Sequence, residues 1–560
     1  MTRSPADLNR RNLFARLGGA TLATTLLSDS ANAQNGAPVR FTHGVASGDP
    51  TRRSLIIWTR ALPLEGSGVS EVVYEVASDP AFEHIVQSGR VLTHKNRDHT
   101  IKVDVQGLKA GTLYHYRFQA GNVISPAGQG RTLPETADQV KLAVISCSNY
   151  PFGYFNVYRA LSEQNDLDAI VHLGDYIYEY GPEGYGRDIG RKLGRNHEPA
   201  HEILTLDDYR QRFAQYRSDP DLQAAHAKAA FITVWDDHET ANNTWLGGAQ
   251  NHDSDTEGDW YARRDAAIQA YFEWLPMRDP VQGKAAYSLN RVYDFADIAS
   301  VIAIETRLTG RSLQISASKD MLFKADGTPD FARFEAEKLG DPTRSMLGPI
   351  QEVWLDKALK ASVSRGIGWQ ILANQVVVAP MRGPDFFKHM PDDMRAKLPD
   401  YGIKWFESAK RGLPINLDSW DGYAAARLRL YDSLKASGGK TVILSGDTHM
   451  FWGNHLHDPR DGQAVAVEFG VTSVTSQGGY ETLTDDERIF DIVPEALTSH
   501  NRDVEYSNVR DRGFIIVTAT RTEVTADYYR VTTILSRDFE TEALVRIESQ
   551  GNADFRLTKA

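Results

Sequence analysis

The sequence predicts an α/β protein with an α+β layered main domain and a small β-sandwich in front of it. Short β-rich runs separated by turn residues fill residues 41–134, which is typical of a small sandwich. After residue 134 the pattern changes to short β-branched apolar runs that alternate with segments of helical periodicity. The 560-residue chain is long enough to bury a large core without disulfide bonds.

Three runs in the N-terminal part have the composition or the alternation of β-strands. They are residues 54–59, 72–76 and 114–118. Turn residues such as Gly48-Asp49-Pro50 separate them. No residue in this part makes a convincing site, so we interpret residues 38–134 as an accessory domain.

Several segments of the remaining chain have recognisable patterns. Residues 261–275 and 351–364 have helical periodicity. Residues 188–201 and 242–259 are rich in Gly, Asn and charge, which predicts long loops at the rim of a site.

The first 33 residues have the pattern of an export signal. Arg10 and Arg11 precede an apolar, small-residue stretch at residues 17–27, and residues 31–33 (Ala-Asn-Ala) offer a cleavage site. This stretch is shorter than the roughly 20 residues that a membrane-spanning helix needs. The paired arginines favour the twin-arginine export machinery over an ordinary secretory route. We therefore expect an exported protein, periplasmic or secreted, with no transmembrane segment in its mature form.

Charge and cysteine content narrow the classes of function. The formal net charge is −12 and no long run of like charges occurs, which argues against stable nucleic-acid binding. An exported chain with one cysteine has no internal disulfide. Cys147 is therefore either a small buried hydrophobic residue or a working thiolate.

Four apolar runs are each followed at once by polar residues. The runs are residues 141–146, 169–173, 230–235 and 441–444. The loops after them are Cys147-Ser148-Asn149-Tyr150, Gly174-Asp175-Tyr176-Ile177-Tyr178, Asp236-Asp237-His238-Glu239 and Gly446-Asp447-Thr448-His449. Since ligands collect beyond the carboxyl ends of strands in open sheets, we expect these loops to converge at one sheet edge.

The side chains in these loops suit metal ions. Asp175 can bridge two cations, and Tyr178, three residues on, returns beside it if one helical turn follows. A phenolate and a thiolate both favour a strongly Lewis-acidic ion such as Fe³⁺. Each loop alone has a structural explanation, namely a tight turn, a helix cap, a core cysteine or a buried histidine. Together they predict a metal centre.

Seven motifs carry a resemblance to a known family. They are residues 41–50, 58–60, 146–150, 174–178, 235–243, 420–423 and 446–449. On these the chain resembles the PhoD-type alkaline phosphatase/phosphodiesterase family, metallophosphoesterases distantly like the purple acid phosphatases. The resemblance implies a catalytic core over residues 138–535, built as a central β-sandwich flanked by helices. It also implies an immunoglobulin-like domain over residues 38–134, and it leaves residues 536–560 as a C-terminal segment.

The resemblance also implies a set of metal ligands. It assigns Fe³⁺ to four residues and lets Asp175 bridge to Ca²⁺. The iron ligands would be Cys147, Asp175, Tyr178 and His449. Asp447, with either Asp237 or Asn243, would complete the calcium side, and the sequence does not decide between those two.

One motif departs from the family pattern. The chain has Glu305-Thr306-Arg307 where the family usually has Asp-Thr-Arg. The longer carboxylate leaves the role of Glu305 open. Arg307 is a candidate for contact with the phosphate or with the ligands, and a surface ion pair is an equally compatible alternative.

The predicted reaction is hydrolysis of phosphate monoesters or diesters by a hydroxide held between the ions. His238 and Arg307 are the catalytic candidates, with His238 binding the phosphoryl group or protonating the leaving alkoxide. Expected substrates are small-molecule phosphate esters, including nucleotides and phospholipid or cell-wall phosphodiesters. The alternatives are a phospholipase D-like phosphodiesterase and a non-catalytic exported protein that binds metal or phosphate. Colour is a simple discriminator, because a ferric tyrosinate or thiolate absorbs visible light, whereas a calcium-only or zinc-only protein should be colourless.

Overall fold

Two large β-sheets dominate the fold. The computed structural model describes residues 39–64, 69–280 and 289–559, so the predicted export signal at residues 1–33 lies outside it. Within these ranges, none of the helices combines the length and apolar character that crossing a bilayer requires. The mixed α/β class that the sequence predicts is confirmed.

The described part of the chain forms ten strands of the large sheet, whose centre is parallel. Val140–Ile145 pairs in parallel with Ala169–His172, which pairs in parallel with Phe231–Thr233. Three of the four apolar runs that precede the candidate loops are these strands. The strand order is Arg556–Lys559, Thr541–Ser549, Val524–Val531, Arg512–Ala519, Val140–Ile145, Ala169–His172, Phe231–Thr233, Val45–Gly48, Ser54–Arg60 and Thr100–Gln106.

Residues 536–560, set apart in the sequence as a C-terminal segment, contribute to this sheet. Thr541–Ser549 pairs antiparallel with Val524–Val531, and Arg556–Lys559 follows at the edge. Val545 and Ile547 alternate into the core, which explains why this segment continues the sheet. The domain limits drawn from the sequence stay predictions.

The second sheet has seven strands and holds the fourth run, Lys440–Ser445. Its residues alternate between two cores. Val442 and Leu444 pack with the large sheet, whereas Ile443 faces the helices outside. The strand order is Arg291–Phe295, Ala299–Ala303, Trp369–Ala373, Lys440–Ser445, Ala464–Gly470, Phe451–His457 and Val504–Asn508.

Helices cover the outer faces of this central sandwich. Four pack with the core of the large sheet: Asn156–Ser162, Leu206–Arg217, Pro220–Lys228 and Trp260–Trp274. Among the helices that pack with the core of the second sheet are Gly348–Ser364 and Ala424–Ser437. Both helices predicted from periodicity are therefore present. The other α-helices of the described residues are Arg187–Leu193, Ser254–Glu257, Ala317–Asp320, Phe331–Phe334, Asp392–Arg395, Asp400–Ala409 and Ile489–His500.

Both predicted loops contain a helix, which is the short Ser254–Glu257 in residues 242–259 and a longer one in residues 188–201. Residues 188–201 were expected to be irregular, but Arg187–Leu193 is helical. Gly186 directly precedes this helix and Gly194 directly follows it, with φ values of 98° and 66°. These two glycines therefore lie at the boundaries of the helix and do not interrupt it. The glycine-rich composition misled the prediction for that reason.

The N-terminal part is a β-sandwich that continues the large sheet. Its separate sheet has the order Gly128–Arg131, Leu113–Ala120, Glu71–Ala77 and Ile85–Leu92, with Val123–Ile124 added to Leu113–Ala120. Its other face is formed by the last three strands of the large sheet, across a core that includes Leu55, Val72 and Tyr116. The three strands predicted here are all present, although they divide between the two sheets.

A buried charge cluster joins this sandwich to the main domain. Asp49 forms ion pairs with Arg278 and Arg291, and Tyr293 donates a hydrogen bond to it at 2.9 Å. All three partners come from the main domain. Asp49 follows the strand that pairs with Phe231–Thr233, so the same turn that ends the strand also fixes the contact.

Candidate metal centre

The four candidate loops converge between the two sheets. Three follow parallel strands of the large sheet, and the fourth follows Lys440–Ser445 of the second sheet. The prediction of one shared sheet edge is therefore wrong in detail. Ser146 forms an isolated parallel bridge to Ser473, which holds the two sheets together beside the site. Facing sheets bring the strand ends together as effectively as one edge would.

Five of the predicted ligand residues have left-handed backbone conformations. Their φ values run from 49° to 65°: Cys147, Asp175, Asn243, Asp447 and His449. L-residues other than glycine rarely adopt this region. Such conformations cluster at functional sites, where the surrounding structure holds them in place.

Gly174 allows two of the loops to touch. A Cβ atom at this position would lie 2.4 Å from the backbone nitrogen of Asp236, and its φ is 106°. Glu239 ties the same loops together by accepting backbone hydrogen bonds from Asp175 at 3.1 Å and Tyr176 at 2.6 Å. The backbone at Asp175 is thus fixed against the Asp236 loop.

A cluster of mixed donors surrounds Asp175. The donor atoms of Cys147, Asp175 and His449 all lie within 4.8 Å of one another. The Tyr178 hydroxyl donates to Asp175 Oδ2 at 3.1 Å and lies 3.3 Å from His449 Nε2. Ser476 donates to the same hydroxyl at 2.7 Å. Sulfur, nitrogen and oxygen donors therefore meet in one buried place.

A second group of donors centres on Asp237. It forms one cluster with Asp175 and His238, and another with Asp236 and Asp447. Asp236 Oδ2 and Asp237 Oδ1 are buried and have no hydrogen-bond partner within the described ranges of the chain. A buried carboxylate oxygen without a partner is costly, and a bound cation removes that cost. The two groups share Asp175, so the residues fit two neighbouring cations.

Asn243 lies beside this group but is held differently. Its backbone N–H donates to Asp237 Oδ2 at 2.6 Å, and its amide Nδ2 donates to Gln250 at 2.6 Å. The structure therefore brings Asn243 to the site as a partner of Asp237.

Burial changes the protonation of these donors in the absence of a cation. Burial raises the pKa of the Cys147 thiol and the Tyr178 hydroxyl well above their ordinary values, and the neighbouring Asp175 raises both further. Burial also raises the pKa of Asp447 to about 7, although Arg307 opposes the change. Burial lowers the pKa of His449 to about 3, so this imidazole is neutral and able to ligate. A cation would have to displace the protons from the thiol and the phenol.

Arg307 is buried among three carboxylates. It donates to Asp418 at 2.6 Å and to Asp447 at 3.0 Å, and its Nε donates to Asp236. Its side chain is fully buried, so the alternative of a surface ion pair is wrong. All three guanidinium nitrogens of Arg307 donate hydrogen bonds to carboxylates, so Arg307 fixes the positions of these carboxylates.

Glu305 organises the loop that carries Arg307. Its carboxylate accepts hydrogen bonds from the indole of Trp235 at 2.8 Å and from the backbone of Arg307 at 2.7 Å and Thr309 at 2.9 Å. Trp235 immediately precedes Asp236. Glu305 therefore positions both partners of the buried ion pair between Arg307 and Asp236.

His238 is buried between the carboxylates of Glu179 and Asp237. Its Nδ1 donates to Glu179 at 2.7 Å, and its ring stacks on Tyr178 with centroids 4.1 Å apart. Burial alone would lower the pKa of His238, but Asp237 and Glu179 raise it well above its ordinary value. Its Nε2 lies 3.9 Å from Asp237 Oδ1, on the side where the carboxylates cluster.

Comparison with known proteins decides the family. Residues 142–528 match the family described as PhoD-like phosphatase, and residues 27–134 match its N-terminal domain. The chain belongs to the PhoD-like phosphatase family. It is 33% identical over 526 residues to alkaline phosphatase D of Bacillus subtilis (strain 168), covering 91% of this chain and 81% of that protein. A solved structure titled "Structure of PhoD" superposes with a TM-score of 0.76 at 29% identity, covering 96% of this chain and 94% of the other.

Membership of the PhoD-like phosphatase family confirms two predictions. The resemblance recognised from the motifs is correct, and the chain is a hydrolase of phosphoric esters. The family and the donor clusters together support dependence on metal.

Several residues of this PhoD-like site were missed or given no role in the sequence, and Glu179, Asp236, Asp418 and Ser476 are four of them. Glu179 directly follows Tyr178, and Asp236 directly precedes Asp237. Their position next to a candidate ligand could have identified both. Asp418 lies two residues before the 420–423 motif but was not singled out. Ser476 comes from a loop with no strand-end signature.

Asn374, which directly follows the strand Trp369–Ala373, has partners outside the metal centre. Its amide donates to the Val376 carbonyl at 2.5 Å, and its oxygen accepts from Trp420 at 3.2 Å. It therefore acts as a loop cap.

Proposed function

We propose that the chain is an exported alkaline phosphatase/phosphodiesterase that hydrolyses phosphate monoesters and diesters at an Fe³⁺ and Ca²⁺ centre. The observation that supports this most strongly is the pair of adjoining donor clusters that share Asp175. Asp237 also belongs to a third cluster, with Asp236 and Asp447, where a cation would satisfy the orphaned oxygens of Asp236 and Asp237.

The two clusters differ in the cation they suit. Cys147, Tyr178 and His449 with Asp175 offer sulfur, phenolic oxygen and imidazole nitrogen, which favours Fe³⁺. Asp175, Asp237 and Asp447 offer carboxylate oxygens only, which favours Ca²⁺.

Asp237 is the better candidate for the calcium side than Asn243. It belongs to two of the three donor clusters, and its Oδ1 is free of hydrogen bonds among the described residues. The Asn243 backbone instead fixes the other carboxylate oxygen. Asn243 is then a positioning residue.

The remaining residues orient groups and move a proton. When bound, the cations supply Lewis acidity toward a water nucleophile and the phosphoryl oxygens. His238, oriented by Glu179 through Nδ1, directs Nε2 to the side of Asp237 and donates a proton to the leaving alkoxide. Arg307 holds Asp236 and Asp447 in place without itself reaching solvent.

The substrates that this site would take are small-molecule phosphate esters, among them nucleotides and phospholipid or cell-wall phosphodiesters. The paired Arg10 and Arg11 support recognition by the twin-arginine export machinery and a periplasmic or secreted location. This route carries folded proteins, which suits a centre assembled from loops hundreds of residues apart in sequence.

Hydrolysis of 4-nitrophenyl phosphate and bis(4-nitrophenyl) phosphate tests the proposal. The metal-loaded wild type should hydrolyse both, and Asp175→Asn should lower kcat/KM by at least about 100-fold because both clusters lose a ligand. Asp326→Asn, a change at an exposed turn, is the matched control and should have no effect. A metal-loaded wild type that hydrolyses neither ester would refute the proposed activity.

A further inference from the structure

An apolar cavity adjoins the candidate metal centre on the side of Asp447. Its volume is about 220 Å³. Asp447 and Thr448 form one part of its wall, and the rest includes Met381, Trp405, Ile415, Met450 and Tyr480. Of the described residues that line it, none is Lys or Arg.

Much of the remaining wall comes from residues that play no part in the metal centre. Trp405 lies on the helix Asp400–Ala409 and packs edge-on against Tyr480, with ring centroids 5.3 Å apart. Ile415 is held by a backbone hydrogen bond to Met381 at 3.1 Å. The cavity is thus framed by a fixed aromatic and aliphatic surface.

The size and the polarity of the cavity define what fits it. An apolar cavity of about 150 Å³ is large enough to bind benzene. This one therefore accommodates an aryl ring or a short alkyl chain. A second phosphate or another anionic group would find no cationic partner on its walls.

The position of His238 shows which ester group would enter. His238 does not line the cavity. Its Nε2 lies next to Asp237, whereas the cavity touches Asp447, and the carboxylates of Asp237 and Asp447 belong to one donor cluster. A phosphoryl group bound there would present its leaving group toward His238 and another substituent toward the cavity.

We infer that this cavity is the subsite for the retained ester group of a phosphodiester, and that it selects an aryl or short-alkyl group. The inference rests on the proposed function. Water attacks phosphorus, the P–O bond to the leaving alcohol breaks, and the apolar group stays on the monoester product. A phosphate monoester has no such group and leaves the cavity unused.

Two diesters with one common leaving group test the subsite. Phenyl 4-nitrophenyl phosphate and methyl 4-nitrophenyl phosphate differ only in the retained group, and their kcat/KM ratio is measured for each variant. Trp405→Ala and Ile415→Asn should each lower the phenyl-to-methyl ratio about tenfold, within the range that pocket contacts of this size provide. Ile350→Asn is the matched control, because Ile350 is 87% exposed and does not line the cavity.

Each outcome bears on a separate claim. A tenfold fall of the ratio in both cavity variants, with 4-nitrophenyl phosphate hydrolysis unchanged, supports the subsite. Ile415→Asn keeps the test valid if Trp405→Ala unfolds, since Ile415 is only half-buried. A ratio that is the same in Ile415→Asn as in wild type overturns the subsite while hydrolysis, and so the proposed function, stands. A wild type that hydrolyses no ester refutes the proposed function and the subsite with it.

Discussion

Replacing Arg307 with methionine leaves three carboxylates without the cation that joins them. The Arg307 side chain is fully buried, and Asp236 is 1% exposed. Asp418 and Asp447 are more accessible, at 11% and 15%. Methionine fills a similar volume but carries no charge, so the change isolates the electrostatic contribution.

The magnitude follows from how well each carboxylate is otherwise paired. Removing one partner of a buried ion pair costs about 3–5 kcal/mol. Asp418 keeps Arg311, which lies 2.5 Å away, so it adds little to the loss. The cost therefore falls on Asp236 and, in part, on the more exposed Asp447. We expect the metal-free protein to lose about 3–5 kcal/mol of unfolding free energy.

Paired urea unfolding curves of metal-free wild type and Arg307→Met measure this loss. Arg333→Met is the matched control, since Arg333 pairs with Glu337 at 53% exposure and should contribute less than about 1 kcal/mol. Adding Asp236→Asn to Arg307→Met should restore part of the stability, because it removes the stranded charge. A loss below about 1 kcal/mol in Arg307→Met would refute the reasoning.

Three further predictions concern catalysis, pH and export. His238→Gln should lower kcat/KM about 100- to 10,000-fold for an alkyl phosphate. The loss should be much smaller for 4-nitrophenyl phosphate, because its leaving group needs no proton. Equal losses on both substrates would contradict the role of His238 as the proton donor to the leaving group. Asp49→Asn should destabilise the protein at pH 7. Burial would raise the pKa of Asp49, but its two arginine partners outweigh this and hold it below the ordinary value. The stability that ionised Asp49 contributes is present above the unfolded pKa of about 3.9 and is lost as the pH falls through the lower folded pKa. The unfolding midpoints of wild type and Asp49→Asn should therefore approach each other below about pH 4. A difference between the midpoints that does not change with pH would argue against this contribution. The double variant Arg10→Lys/Arg11→Lys should accumulate inside the cell as uncleaved precursor, which fractionation and immunoblotting measure. Normal export of this variant would rule out the twin-arginine route.

The strands and the loops at their ends could be predicted from the sequence because both signals are local. The run at residues 230–235 is apolar and β-branched, and the polar residues after it mark the end of the strand. The runs at residues 141–146 and 169–173 have the same form. Convergence of the loops then followed from a general property of sheets.

The arrangement in two facing sheets could not be predicted in this way. Whether Lys440–Ser445 joins the large sheet or faces it depends on long-range pairing, and its apolar run is compatible with both. The same limit applies to Asp418, whose role depends on Arg307, more than a hundred residues away. The role of Glu305 could not be predicted either, because this residue differs from the family pattern. Its contacts with Trp235 and Thr309 in the structure show what it does.

Residue type alone also failed to distinguish ligands from their supports. Asn243 and Asp237 are both oxygen donors in one loop, and the sequence left them equal. The backbone hydrogen bond from Asn243 to Asp237 separates them in the structure. Such a distinction depends on where one N–H points, which no composition or spacing specifies.

Metal analysis with visible spectroscopy tests the central claim most directly. The mature protein is purified without chelator, and wild type is compared with Cys147→Ala and with Ser364→Ala, a change at an exposed helix end. We predict about one iron per chain and a visible absorption band in wild type and Ser364→Ala, because a ferric ion would hold the thiolate and the phenolate deprotonated. Iron, colour and activity should all be lost in Cys147→Ala. An active wild type without iron, unaffected by the loss of Cys147, would contradict the ferric centre.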